Sequence, residues 1–137
     1  MGARLDHIGI AVRSLDEAVA VYATLLSVAP SDIRTEDNSE QKVRIAFVEL
    51  PNCKIELLEP LAPDSPIAKF LESRGEGIHH LCFVAPQGMA TECERLEAAA
   101  FRVISRDTDR FFFLHPKDCK GSLIEFYGDY HARASHA

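Results

Sequence analysis

Two histidines and two glutamates stand out because each interrupts an otherwise apolar, strand-like stretch. His7 lies in "LDHIGIAV", Glu56 in "KIELLE", His80 in "GEGIHHLCFVAP" and Glu125 in "GSLIEFYG". Neutral imidazole nitrogens and carboxylate oxygens are the ligands that divalent first-row cations accept. Converging on one point, the four would make a mixed site suited to zinc, cobalt, nickel, manganese or iron(II). Four protein ligands leave two positions of an octahedron for water or a chelating substrate. A carboxylate in an apolar strand is costly unless it meets a cation or a metal, which gives the two glutamates a reason to be ligands. Taken singly, a strand histidine is more often a hydrogen-bonded core residue and a strand glutamate more often faces solvent.

The elements that must position these residues follow from periodicity. "LDHIGIAV" alternates, with Ile8, Ile10 and Val12 on one face and Leu5, His7, Gly9 and Ala11 on the other, so His7 faces a cleft while the bulky face suits packing under a helix. "SLDEAVAVYATLL" switches to helical spacing: Ser14 and Glu17 make a capping box, and Leu15, Ala18, Val19, Tyr22 and Leu26 form the apolar stripe. A short strand near Ile33, a strand in "QKVRIAFVEL", a turn at "PN" and a strand in "CKIELLEP" complete a βαβββ module over residues 4–61. "APDSPIAKFLESRG" predicts a connecting helix over 64–75, with Ser65 as N-cap, Pro66 at the first helical position and Gly75 as the stop. The order then repeats over 76–128: strand "GIHHLCFVA", helix "GMATECERLEAAA" with Met89, Cys93 and Leu96 inward, and strands in "RVIS", "RFFFLHP" and "GSLIEFYG". Residues 129–137 read as a polar tail carrying His131 and His136.

An internal duplication places equivalent residues at a nearly constant offset. His7 pairs with His80 at an offset of 73 and Glu56 with Glu125 at 69, so the second module is about four residues shorter between its equivalent strands. His79 pairs instead with Asp6. Strand neighbours point to opposite faces, so only one of His79 and His80 serves a given cleft, and the repeat selects His80. His79 is then a structural neighbour, and His115 in "FLHPKD" a turn or rim residue. Matching positions in two repeats favour a four-residue metal site over four unrelated core residues.

A chain of 137 residues, 47% hydrophobic, suffices for one packed domain over 1–128. Its net charge of -6 is spread without a basic cluster, which argues against nucleic acid and anionic membrane as partners. The cysteines, Cys53, Cys82, Cys93 and Cys119, show neither metal-ribbon spacing nor a secreted framework. No run reaches the length of a membrane span and the N-terminus has no signal-peptide pattern, so the cytoplasm is the expected compartment.

The α+β pattern of paired βαβββ modules with a His, Glu, His, Glu set resembles the vicinal oxygen chelate superfamily, the glyoxalase fold. Within it, "LDHIGIAV", "VRIAFVEL", "KIELLEPLAPDSPIAKFL", "GEGIHHLCF" and "FLHPKDCKGSLIEF" are similar to the methylmalonyl-CoA epimerases. The resemblance implies two modules forming a curved mixed sheet around a metal-binding cleft, a divalent cation (cobalt, zinc, nickel or manganese) on His7, Glu56, His80 and Glu125, an acyl-CoA substrate, and a homodimer. It implies interconversion of (R)- and (S)-methylmalonyl-CoA, or of a related acyl-CoA, by α-proton abstraction through a metal-stabilised enolate. Glu125 and Glu56 are the expected acid/base groups, and Gln41 and Lys117 candidate substrate contacts. Two departures are visible. Some epimerases carry a further acid in the strand matching "EQKVRIAFV", where this chain has Arg44 and Ile45; and the loop "SRDTDR" is shorter than the epimerase loop. A glyoxalase I-like lactoylglutathione lyase shares the ligand types and proton chemistry, and a non-catalytic binding or resistance protein shares the fold, so both stay open. An iron(II) extradiol dioxygenase needs only two histidines and one carboxylate, leaving Glu56 surplus.

Overall fold

Strand β1, Arg4–Ala11, is followed by Ser14, whose hydroxyl accepts the Glu17 amide at 3.3 Å and opens helix α1, Leu15–Leu26. The helix stops where Ser27 turns left-handed (φ 56°). The structure, a computed structural model, describes residues 2–107 and 110–128. The expected tail, with His131 and His136, lies outside them. The described residues divide into two compact units, residues 7–79 and residues 2–6 together with 80–107 and 110–128.

In the first unit, α1 is followed by a 3-10 turn, Pro30–Asp32, and by β2, Arg34–Asn38, β3, Val43–Glu49, and β4, Lys54–Pro60. The strand expected near Ile33 begins one residue later, because the Ile33 amide closes the 3-10 turn on the Pro30 carbonyl. The strands lie in the order β2-β3-β4-β1, antiparallel except for the parallel pair of β1 with β4. Alternation then decides the faces. Ile8, Ile10 and Val12 join Ala46, Val48, Ile55 and Leu57 under the α1 stripe of Leu15, Ala18, Val19, Tyr22 and Leu26. The opposite face is partly covered by α2, Pro66–Arg74, whose Ile67, Phe70 and Leu71 pack on Ala11, Val43, Ile45 and Leu58. The N-cap Ser65 is buried, its hydroxyl accepting the Ile67 amide at 3.1 Å, and Gly75 ends the helix at φ 78°, where a side chain would be strained.

The second unit repeats the plan with β5, Gly77–Val84, which enters it at His80, then α3, Met89–Ala98, β6, Val103–Asp107, β7, Phe111–Leu114, and β8, Ile124–Tyr127. The strand order is β5-β8-β7-β6, with β5 and β8 parallel. Cys93 and Leu96 of α3 pack on Ala85, Phe112, Leu114 and Phe126, joined by Phe83, Met89 and Ile124. The expected inward set of α3 omitted Glu92, which is buried and ion-paired to Arg95 at 2.8 Å. The strand expected through Pro116 stops at Leu114: proline lacks the ladder donor, and a 3-10 turn, Pro116–Cys119, takes over. His115 caps that turn, its Nδ1 accepting the Lys117 amide at 3.1 Å.

Both βαβββ modules are therefore present, in an α+β fold with mixed strand pairing.

Candidate metal centre

His7 and Glu56 meet on the face of the first unit's sheet that α1 leaves uncovered. The parallel register sets Gly9 beside Glu56, and His7 lies two residues before Gly9 on the same face. With only hydrogen between the two functional side chains, His7 Nδ1 comes within 3.1 Å of Glu56 Oε2. Both are buried, at 1% and 5% exposure, although their strand neighbours Ile8, Ile55 and Leu57 are apolar. On its other side Glu56 is flanked by Phe47 of β3.

The second unit builds the same arrangement from different residues. Cys82 of β5 lies beside Glu125 of β8, and His80 lies two residues before Cys82. His80 Nε2 stands 3.1 Å from Glu125 Oε1, with exposures of 7% and 5%. Phe113 of β7 flanks Glu125 as Phe47 flanks Glu56, and meets the His80 ring edge-on at 5.8 Å between centroids. The duplication thus extends beyond the histidines and glutamates to the strand positions around them: Gly9 and Cys82, Phe47 and Phe113. His79 faces the other way and packs edge-on against Phe70 of α2, at 5.0 Å.

Each pair offers an imidazole and a carboxylate, shielded from water and carried on strands rather than loops, the donor chemistry that a divalent cation takes. The remaining candidates sit elsewhere. Gln41 is exposed in the β2–β3 turn, where its amide donates to Asn38 Oδ1 at 3.0 Å. Lys117 is exposed on the 3-10 turn after His115. Of the two residues standing where some epimerases carry an acid, Arg44 pairs with Asp37 at 2.8 Å, and Ile45 lies on the ligand face directly opposite Glu36 of β2. Arg34, the next same-face residue of β2, lies over Phe47 with its guanidinium carbon 4.1 Å from the ring centroid. Neither Arg34 nor Glu36 was among the sequence candidates. The alternation of "RTEDN" carries no apolar mark, and only the strand register puts them on this face.

The turn bearing Lys117 is tied down by charge. Asp118 receives the Arg102 guanidinium through both carboxylate oxygens, at 3.0 Å each, and the Arg102 amide at 2.9 Å. The guanidinium first, and the backbone donor second, hold the Asp118 carboxyl down at about 2. Burial pushes the Cys93 and Cys119 thiols up. Among the described residues no helix is long and apolar enough to cross a membrane.

The family model of the glyoxalase/bleomycin resistance protein/dioxygenase superfamily matches residues 6–113. The chain is 39% identical to the ethylmalonyl-CoA/methylmalonyl-CoA epimerase of Cereibacter sphaeroides, over 89% of this chain and 95% of that one. Among solved structures, methylmalonyl-CoA epimerase from Mycobacterium tuberculosis is similar with 34% identity and a TM-score of 0.80, covering 91% of this chain and 87% of the other. A methylmalonyl-CoA epimerase in complex with methylmalonyl-CoA and ammonium matches at 33% identity and a TM-score of 0.83, over 92% and 94% of the two chains. With two βαβββ modules, a buried His–Glu pair in each and these relatives along most of its length, the chain belongs to the glyoxalase/bleomycin resistance protein/dioxygenase superfamily.

Proposed function

We propose that the protein is a metal-dependent epimerase of methylmalonyl-CoA or a closely related 2-carboxyacyl-CoA, with His7, Glu56, His80 and Glu125 holding one divalent cation. The observation that carries this reading is the repeated pair: a histidine and a glutamate 3.1 Å apart, buried on equivalent strands of both modules. The similarity to epimerases over most of the chain supplies the substrate class.

The α-hydrogen between a thioester and a carboxylate is acidic only if the charge that develops on the thioester oxygen is stabilised. A bound divalent cation would supply that stabilisation as a Lewis acid, worth several kcal/mol. The chain's own part is to move the proton. Inversion requires removal from one face of the carbon and return on the other, so two groups are needed. Glu125 and Glu56 are assigned these roles, one carboxylate from each module. The apolar strands and flanking Phe47 and Phe113 keep water from competing for the proton.

Incubation of metal-loaded protein with methylmalonyl-CoA in deuterated water tests this directly. The expected outcome is deuterium at the α-carbon, with Glu125→Gln and Glu56→Gln each slowing exchange by about 100-fold or more. Thioester binding without exchange would instead make the protein a ligand-binding member of the superfamily. Full exchange in either variant would remove that carboxylate from the mechanism. Gln41 and Lys117 are retained as candidate substrate contacts, and a homodimer is proposed, to be read as twice the 15.2 kDa chain mass by light scattering.

A further inference from the structure

The ligand-bearing faces of the two modules can be followed across their strands, and they differ in formal charge at one place. In the first unit the residues directly opposite one another run Arg34, Phe47, Glu56, Gly9 across β2, β3, β4 and β1. In the second they run Ser105, Phe113, Glu125, Cys82 across β6, β7, β8 and β5. The outermost position is a cation in one row and a neutral hydroxyl in the other.

The Arg34 side chain is exposed, but its guanidinium is held against the sheet. It leans inward over Phe47, 4.1 Å from the ring centroid, and Phe47 is the residue between it and Glu56. Adjacent strands are about 4.8 Å apart, so the Arg34 and Glu56 backbones are only about 10 Å from each other. Among the described residues its ion pair, Nη1 to Glu36 at 2.6 Å, joins two exposed side chains and is weak. A guanidinium carries five donors, so that bond leaves the fork able to take another anion.

Charge balance gives this cation a task. Two carboxylates neutralise a divalent ion, so His7, Glu56, His80 and Glu125 around a 2+ ion carry no net charge, whereas a glutamine at position 56 would leave +1. An anionic substrate therefore finds less attraction at the ligands themselves, and Arg34 lies two strands from the glutamate responsible, across Phe47.

We infer that Arg34 is a specificity-determining residue: it binds an anionic oxygen of the thioester substrate at the outer end of the first unit's ligand-bearing face. The inference rests on the proposed epimerase reading. The anionic oxygen has two sources, the carboxylate of the acyl group and the phosphates of coenzyme A.

The test compares wild type, Arg34→Gln, Arg34→Lys and the double variant Arg34→Gln/Glu36→Gln, all metal-loaded, by calorimetric binding of methylmalonyl-CoA and of methylmalonyl-pantetheine, which lacks the phosphates. Arg34→Gln is expected to weaken the coenzyme A ester about 10-fold, as loss of a charged hydrogen bond does, with α-proton exchange at saturation changed less than about twofold. Arg34→Lys should recover part of the loss, since it restores charge without the fork. The double variant should stay weak, which excludes repulsion by an unpaired Glu36 as the cause. Equal weakening of the pantetheine ester identifies the carboxylate; weakening of the coenzyme A ester alone identifies a phosphate. Wild-type affinity of Arg34→Gln for both esters overturns the inference. Binding without exchange in the wild type overturns the epimerase reading while the Arg34 affinities still decide this one, and a wild type that binds neither ester overturns both.

Discussion

His79 and His80 are adjacent and chemically identical, yet the strand gives them different surroundings. His80 is buried 3.1 Å from Glu125, while His79 meets the edge of Phe70. This difference was legible in the sequence because alternation and the offset to His7 both act on single positions. The flanking phenylalanines and Arg34 were not legible, since they belong to the face only through pairing between strands, and register is not written in any one strand. For the proposed centre, His80→Ala should reduce bound cobalt or zinc from about one per chain to under about 0.1, because a missing ligand also leaves its carboxylate partner unsatisfied. His79→Ala should keep the metal. Elemental analysis of both variants, purified without chelators, decides it, and metal loss confined to His79→Ala would show that the wrong member of the pair was assigned.

The helix boundaries are legible in the sequence through their caps. Ser14, Ser65 and Gly75 do what their positions predict, because capping is local chemistry. Ser65→Ala should cost about 1 kcal/mol, measured by chemical denaturation, since it orphans the Ile67 amide at a buried helix start. The 3-10 turn at Pro116–Cys119 is not legible in the local sequence, because it is anchored through Asp118 to Arg102, 16 residues away. That anchor has a pH signature. The Asp118 carboxyl falls from 3.8 to about 2 on folding, so the ionised form is favoured in the native state. Its stabilisation is complete above about pH 4 and is lost as pH falls toward 2, where the native carboxylate protonates as well. Asp118→Asn should therefore lower Tm at neutral pH and show a flatter decline than wild type below pH 4. Parallel Tm–pH curves for the two proteins would mean that the Arg102 pairing contributes nothing.

For the molecule as a whole, the duplication allows two arrangements: one centre drawing a His–Glu pair from each module, or two independent two-ligand sites. They differ in cooperativity. A site of two ligands is weak, whereas four preorganised ligands bind tightly, and a metal that binds only the native state raises stability by RT ln(1 + [L]/Kd). At a free metal concentration of about 100 Kd this is about 2.7 kcal/mol, or about 5–10 °C in Tm for a chain of this size. With one shared centre, His7→Ala and His80→Ala should each abolish the whole metal-dependent rise, although the substitutions lie in different modules. Titration should then reach one metal per wild-type chain. With two separate sites, each variant would keep about half of the rise and the wild type would bind two metals. Comparing each protein against its own chelator-treated sample removes the direct cost of replacing a buried histidine, so the remaining difference belongs to the metal alone. Loss of the full increment in both variants is the outcome expected of the four-ligand centre, and retention in either would reduce it to a pair.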